Sequence, residues 1–231
     1  MIANITENIA RVEERIAAAC LRSGRRRQDI RLVAVSKTHP PEMIRAAFAA
    51  GLRDFGENRV QEAMSKRPAL SDLGATWHLV GHLQSNKAGA ARELFQWVHS
   101  LDSLRLAGKL AQAAAPAGAR LPVLIEVNLG EEISKSGVRA GEVAALAEQV
   151  APMATLELRG LMVVPPFLDN PQGVRPYFRR LRVLASDIKA RNLPNVSMRE
   201  LSMGMSHDFE VAIEEGATIV RVGTAIFGGR T

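Results

Sequence analysis

The strongest constraint on this chain is a rhythm: a short apolar run gives way to a segment with helical spacing, and the pair recurs from residue 32 to the end. Eight runs read as strands, at residues 32–36, 53–55, 77–80, 97–99, 122–127, 158–163, 198–201 and 219–222. Helical segments lie between them at 42–50, 58–66, 103–115, 141–150 and 176–190, with weaker ones at 86–95 and 207–215. Gly51 closes the first of these, and Phe178, Leu181, Leu184 and Ile188 make the apolar stripe of the 176–190 segment. A strand that must re-enter a sheet in the same direction needs a crossover, so alternation of this kind calls for parallel strands. Eight such units in 231 residues predict an α/β chain closed into a single (β/α)8 TIM barrel. A doubly wound open sheet is the second choice.

Ahead of the first strand, Ile2, Ile5, Ile9, Val12 and Ile16 recur at three- and four-residue steps. That is one face of an extra N-terminal helix, with Asn4 and Glu7 resembling a capping box and Gly24 ending it. The expected organisation is one domain over 1–231, with 1–24 forming a helix packed on the barrel.

The first strand ends in chemistry. Its sequence RLVAVSKTHPP carries four unbroken apolar residues, then Lys37, then two prolines that suit the first turn of a helix. Strand alternation puts Val33, Val35 and Lys37 on one face, beside a dry interior. Such a lysine has two readings. Its stem can lie on apolar surface with the ammonium in water, or desolvation can lower its pKa and make it an amine that condenses with a carbonyl.

The other strand ends are polar too. The second leads into Gly56, Glu57, Asn58 and Arg59, the third into Gly81, His82, Gln84, Asn86 and Lys87, the fifth into Glu126 and Asn128. His82 is an acid, a base or a stacking surface, or a structural hydrogen-bonder; His78, deeper on the same strand face, reads as structural. In a barrel, phosphate is commonly held by the loops after strands seven and eight. Those loops are SMGMS (202–206), with Ser206 placed to cap the next helix, and GTAIFG (223–228). Glycines admit backbone amides close to an anion, and Ser or Thr adds hydroxyl donors, although the same residues make ordinary turns. Arg221 interrupts the apolar IVRVG of the last strand, as half of a structural ion pair or as a ligand contact.

Composition removes several alternatives. Cys20 is the only cysteine, so an intrachain disulfide and a cysteine-based zinc site are excluded. No His, Asp and Glu set has metal-ligand spacing, and no nucleophile elbow occurs. No stretch approaches the roughly 20 apolar residues of a membrane span, and the charged N-terminal region has no signal-peptide core, so a soluble, unprocessed, cytoplasmic protein is expected. The net charge of +6 and the run RSGRRR at 22–27 allow nucleic-acid binding, but aromatic residues are only 4% and no nucleic-acid motif is present.

A strand-end lysine, a phosphate cradle and an arginine between them are what a pyridoxal 5′-phosphate site requires. The segments AVSKTHPPEMI, FGENRVQEA, WHLVGHLQSNKA, SKSGV, GLMVVPP and LSMGMSHDFEVAIEEGATIVRVGTAIFG, in this order, resemble the YggS/PROSC family of pyridoxal phosphate homeostasis proteins, whose barrel is like the alanine racemase N-terminal domain. The resemblance implies that Lys37 holds pyridoxal 5′-phosphate (PLP) as a Schiff base with Asn58 beside it. It further implies that Ser202, Ser206, Gly223 and Thr224 hold the phosphate and that Arg221 faces the pyridine nitrogen. His39 stands where the family often has lysine, and His207 where it often has a small or acidic residue.

A cation facing the ring nitrogen disfavours its protonation and makes the cofactor a weaker electron sink. By resemblance, alanine racemases add a β-rich domain and a tyrosine base, whereas the one tyrosine here, Tyr177, is expected on a helix well before strand seven. The expected function is a non-catalytic carrier of PLP in vitamin B6 and amino-acid homeostasis, monomeric, with apo PLP-dependent enzymes as recipients and neither nucleic acid nor membrane as partner. An amino-acid racemase is the alternative. Lys135 is a second lysine expected on the cofactor face, as a collector of anionic cofactor or as a solvated loop residue.

Overall fold

The computed structural model describes residues 4–115, 118–130 and 136–229. Helix α1 (Ile5–Arg22) begins where the Asn4 side chain accepts the Glu7 N–H. Its Ile5, Ile9, Val12 and Ile16 are buried, so the apolar stripe is the packing face.

The strands are β1 (Arg31–Val35), β2 (Asp54–Glu57), β3 (Thr76–Leu79), β4 (Trp97–Leu101), β5 (Leu121–Asn128), β6 (Val138–Arg139), β7 (Leu156–Met162), β8 (Val196–Ser202) and β9 (Ile219–Val222). The helices after α1 are α2 (Pro41–Ala49), α3 (Val60–Lys66), α4 (Ala88–Leu94), α5 (Leu104–Ala114), α6 (Val143–Val150), α7 (Arg175–Lys189), α8 (Phe209–Glu214) and α9 (Thr224–Phe227). All pairings are parallel. Around the ring, β1 pairs β2, each strand pairs its neighbour through β3, β4, β5, β7, β8 and β9, and β9 returns to β1, closing an eight-stranded barrel. The open-sheet alternative is thereby excluded. β6 is a two-residue addition outside the ring, paired to the end of β5.

Alternation along the strands sorts the side chains into two cores. Leu32 and Ala34 of β1 face the helices, whereas Val33 points into the lumen. There it meets Trp97, Leu124, Met162 and Ile219, an apolar cluster that fills part of the lumen and leaves the carboxyl end as the place for a cavity. α1 packs on α2, α8 and α9, and Asn8 donates to the Ile226 carbonyl at 2.8 Å. No helix among the described residues is long and apolar enough to cross a membrane.

Several boundaries differ from the sequence expectation. The helix expected at 58–66 starts at Val60, because Asn58 is held as loop with its backbone against Gly81. A Cβ on Gly81 would sit 2.4 Å from the Asn58 carbonyl oxygen, a contact only glycine permits. The helix expected at 207–215 starts at Phe209, with Asp208 at its N-cap position, so Ser206 caps nothing there. β7 begins earlier than residue 158, since Glu157 and Arg159, which break the apolar run, pair with each other at 2.8 Å. β6 and α9 are too short to show periodicity.

Candidate functional site

At the carboxyl ends of the strands lies a cavity of about 390 Å³, walled by the loops after β1, β2 and β8 and by the start of α9. Six of the seven residues singled out from sequence line it: Lys37, Asn58, Ser206, Arg221, Gly223 and Thr224. The seventh, Ser202, lies beneath it, fully buried.

Lys37 stands in the turn that follows β1, next to Thr38, whose φ of 66° is left-handed. A buried ion cluster grips this turn from both sides. Lys66 Nζ donates to the Ser36 carbonyl at 2.9 Å, to Glu57 Oε1 at 2.9 Å and to Glu62 Oε1 at 2.6 Å. Ser36 Oγ donates to Glu57 Oε1 at 2.7 Å, and the Thr38 N–H donates to Glu62 Oε1. Burial pushes the Glu57 carboxyl pKa up, and the Lys66 ammonium pulls against it. The sequence reading missed this clamp. Its signal was the four-residue spacing of Glu62 and Lys66, which places them on one helix face. His39 lies on Phe227 with ring centroids 5.1 Å apart, and burial, with Lys66 nearby, holds its pKa down.

The opposite wall is made of backbone donors. Ser206 Oγ accepts the N–H groups of Gly223 and Ala225, both at 3.3 Å, at the start of α9. Gly223 is pressed on β1, where a Cβ would come 3.1 Å from the Val35 carbonyl oxygen. Asp208 accepts the Met205 N–H at 2.6 Å and so shapes the loop that presents Ser206. Burial raises the Asp208 carboxyl pKa against that bond.

Arg221 forms the floor. It is 4% exposed, and no carboxylate among the described residues is within ion-pair distance. It donates to the Ser202 carbonyl at 2.7 Å, the Ser202 hydroxyl at 2.6 Å and the Val163 carbonyl at 2.8 Å. Burial pushes its pKa down to about 10, which leaves it a cation at neutral pH. The ion-pair reading of this arginine therefore gives way to a guanidinium anchored by neutral oxygens.

Of the remaining candidates, His207 is on the rim of this cavity and the others are placed elsewhere. His82 pairs with Asp102 at 3.1 Å, and Glu126, its pKa raised by burial, accepts from Ser136 at 2.9 Å. His207 donates to the Leu168 and Asp169 carbonyls and packs at a tilt against the Phe167 ring, so it pins the rim loop after β7. Tyr177 is on α7, partly buried against the outer core. Lys135 falls outside the described residues. No group of three or more His, Cys, Asp or Glu among the described residues could hold a metal ion.

The family model described as alanine racemase, N-terminal domain, matches residues 2–231. The pyridoxal phosphate homeostasis protein of Aquifex aeolicus is 47% identical over 98% of this chain and 99% of its own length. That of Escherichia coli K12 is 43% identical over 98% and 97%. The chain belongs to the pyridoxal phosphate homeostasis proteins, within the alanine racemase N-terminal domain family. The solved structure of PipY from Synechococcus elongatus with PLP bound is 42% identical to the chain, with a TM-score of 0.82 over 94% of this chain and all of that one. An alanine racemase from Clostridium difficile superposes with a TM-score of 0.73 at 13% identity. It covers 98% of this chain but 56% of the racemase, a likeness that shows the shared barrel fold alone.

Proposed function

We propose that the chain binds pyridoxal 5′-phosphate on Lys37 and serves intracellular vitamin B6 and amino-acid homeostasis without catalytic turnover. The observation that carries this reading is convergence: a turn-borne lysine, a corner of backbone amides with a hydroxyl, and a buried arginine all line one cavity. These residues fit the group. When bound, it supplies an aldehyde that condenses with an amine and releases water. Lys37 presents that amine, held in place by the Lys66 clamp. Ser206, Gly223 and Thr224 receive the phosphate at the start of α9, where amide N–H groups converge. Ser202 acts one layer below, anchoring Arg221, and Arg221 keeps a proton off the pyridine nitrogen. Asn58 sits beside Lys37 on the same wall.

The carrier reading is favoured over a racemase by what surrounds the cavity. Tyr177 is on α7, and the cavity histidines His39 and His207 are engaged by Phe227 and by the rim loop. The barrel and its N-terminal helix act as a single unit, monomeric and cytoplasmic, and hand cofactor to apo PLP-dependent enzymes. Reduction of the PLP-loaded protein with borohydride and peptide mapping should place the pyridoxyl group on Lys37, and Lys37→Ala should stay colourless. A yellow Lys37→Ala protein would overturn the assignment. Rapid deuterium uptake at Cα of either alanine enantiomer would replace the carrier by an enzyme.

A further inference from the structure

Below the cavity a line of buried polar side chains threads the lumen from one end of the barrel to the other. Arg221 donates to Ser202 Oγ at 2.6 Å; Ser202 Oγ is 2.9 Å from His99 Nδ1; His99 Nε2 is 3.0 Å from His78 Nδ1; His78 Nε2 is 2.9 Å from Asp54 Oδ1. Ser202, His78 and His99 are fully buried, while Asp54 opens on the amino-end mouth with Arg31 Nε at 3.8 Å. Five strands, β2, β3, β4, β8 and β9, each contribute one residue to this line, and beyond the link between Ser202 and Arg221 it has no part in the cavity wall.

The two ends decide the direction of every bond. A guanidinium only donates, so the Ser202 hydroxyl must accept from it and turn its one proton to His99 Nδ1. His99 is then the Nε2–H tautomer and donates to His78 Nδ1, which leaves His78 also as Nε2–H, donating to the Asp54 carboxylate. Both rings are held neutral by burial, although Asp54 and Glu200 act on His78 in the other direction. The charged groups bearing on them are Asp54, Glu200 and Arg31 for His78, and Arg221 and Arg31 for His99, with each ring opposing a proton on the other. Hydrogen bonds aligned between a cation and an anion in a dry lumen polarise one another in series.

We propose that His99 and His78 are positioning residues for Arg221: with Ser202 they form a one-way hydrogen-bond string to Asp54 that aims the guanidinium into the cavity and carries the charge at the far mouth to it. The role toward the cofactor ring rests on the function proposed above. The string itself does not, and the test separates the two.

In ligand-free, ¹⁵N-labelled protein, long-range ¹⁵N–¹H correlation at neutral pH should find both rings as neutral Nε2–H tautomers. Ser202→Ala should change the tautomer balance of His99, and Asp54→Asn should shift the Arg221 side-chain nitrogen signals across the barrel. His99→Gln, which can accept from Ser202 and donate to His78, should preserve the Arg221 signals, whereas His99→Phe should not. A charged ring, an Nδ1–H tautomer in the unmutated protein, or Arg221 signals indifferent to both Ser202→Ala and Asp54→Asn would overturn the proposal. With PLP added, Asp54→Asn should move the pH midpoint of the visible band to lower pH, because losing the far anion leaves Arg221 a stronger cation at the ring. A midpoint that does not move would remove the charge-carrying role. If unmutated protein takes up no PLP at all, the proposed function fails, while the string is still decided by the ligand-free spectra.

Discussion

At the amino ends of the strands lies a cavity of about 450 Å³, larger than the one of about 390 Å³ at the carboxyl ends. Volume does not separate a site from a dent; the state of the polar groups does. In the amino-end cavity Arg27 is paired with Glu13 at 2.6 Å, Arg53 donates to the Phe48 and Leu52 carbonyls, and Thr218 donates to Glu200 at 2.7 Å. Arg31 lies over Trp97 at 5.0 Å and beside Asp54. These cations are spent on the protein's own oxygens. At the carboxyl end the amides of Gly223 and Ala225 are met by a single hydroxyl at 3.3 Å, a weak arrangement that a phosphate oxygen can replace with gain.

The contrast is sharpest in what an ion pair does at each end. Lys66 and Glu57 are buried, and together they hold the turn of Lys37. Lys66→Met would leave Glu57 without its cation and should lower stability by about 3–5 kcal/mol, the range for breaking a buried pair from one side. Urea unfolding of the ligand-free proteins measures this. A loss below about 1 kcal/mol would make the clamp no different from a surface pair and break the comparison.

How much of this was legible in the sequence follows from the range of the forces involved. β9 falls at 219–222 as expected because an apolar run bounded by Gly216 and Gly223 is a local signal. Lys37 and Arg221 were visible for a related reason: each is a cation in or beside an apolar run. Composition marked the loop of Ser202, and the family resemblance implied a phosphate contact for it; that its hydroxyl bonds Arg221 and His99 is set by strand register, which composition does not carry. His99 sits in an apolar strand with its partners on β3 and β8, 21 and 103 residues away. No window along the chain holds that information. Asn58 failed as a helix start because Gly81, on the neighbouring loop, draws its backbone close.

The buried string joins the two ends, and acid tests whether it behaves as a neutral interior. His78 and His99 both have folded-state pKa values held below the usual 6.5 by burial. Below that pH the unfolded chain takes up protons that the folded chain refuses, so their contribution to stability is complete above pH 6.5 and is lost as pH falls. Glu57, Glu126 and Asp208, with raised pKa values, act in the opposite sense. The histidine part is therefore read as a difference. His99→Gln should flatten the acid-side slope of unfolding free energy by about 1.4 kcal/mol per pH unit, one proton's worth. Equal slopes in the two proteins would mean that His99 titrates normally.

Ser206→Ala probes the phosphate corner without disturbing the barrel. It deletes the hydroxyl donor that a phosphate oxygen would accept from, and PLP binding should weaken by about 1–1.5 kcal/mol, roughly tenfold, as for loss of one hydrogen-bonding group. Pyridoxal, which lacks the phosphate, should bind both proteins alike. An equal loss for both ligands would place Ser206's effect on the loop and not on the anion.

The smallest effect is expected at the amino end, and that is its value. Glu13→Gln breaks the Arg27 pair, whose side chains are 37% and 33% exposed. Water and salt already screen such a pair, so stability should fall by less than about 1 kcal/mol, and less still in high salt. PLP affinity should not change, because Arg27 would gain a free charge at the mouth farthest from Lys37. Should Glu13→Gln instead create measurable inorganic phosphate binding at that mouth, pairing alone would be what keeps the larger cavity silent, and the difference between the two ends would reduce to which cations have been neutralised.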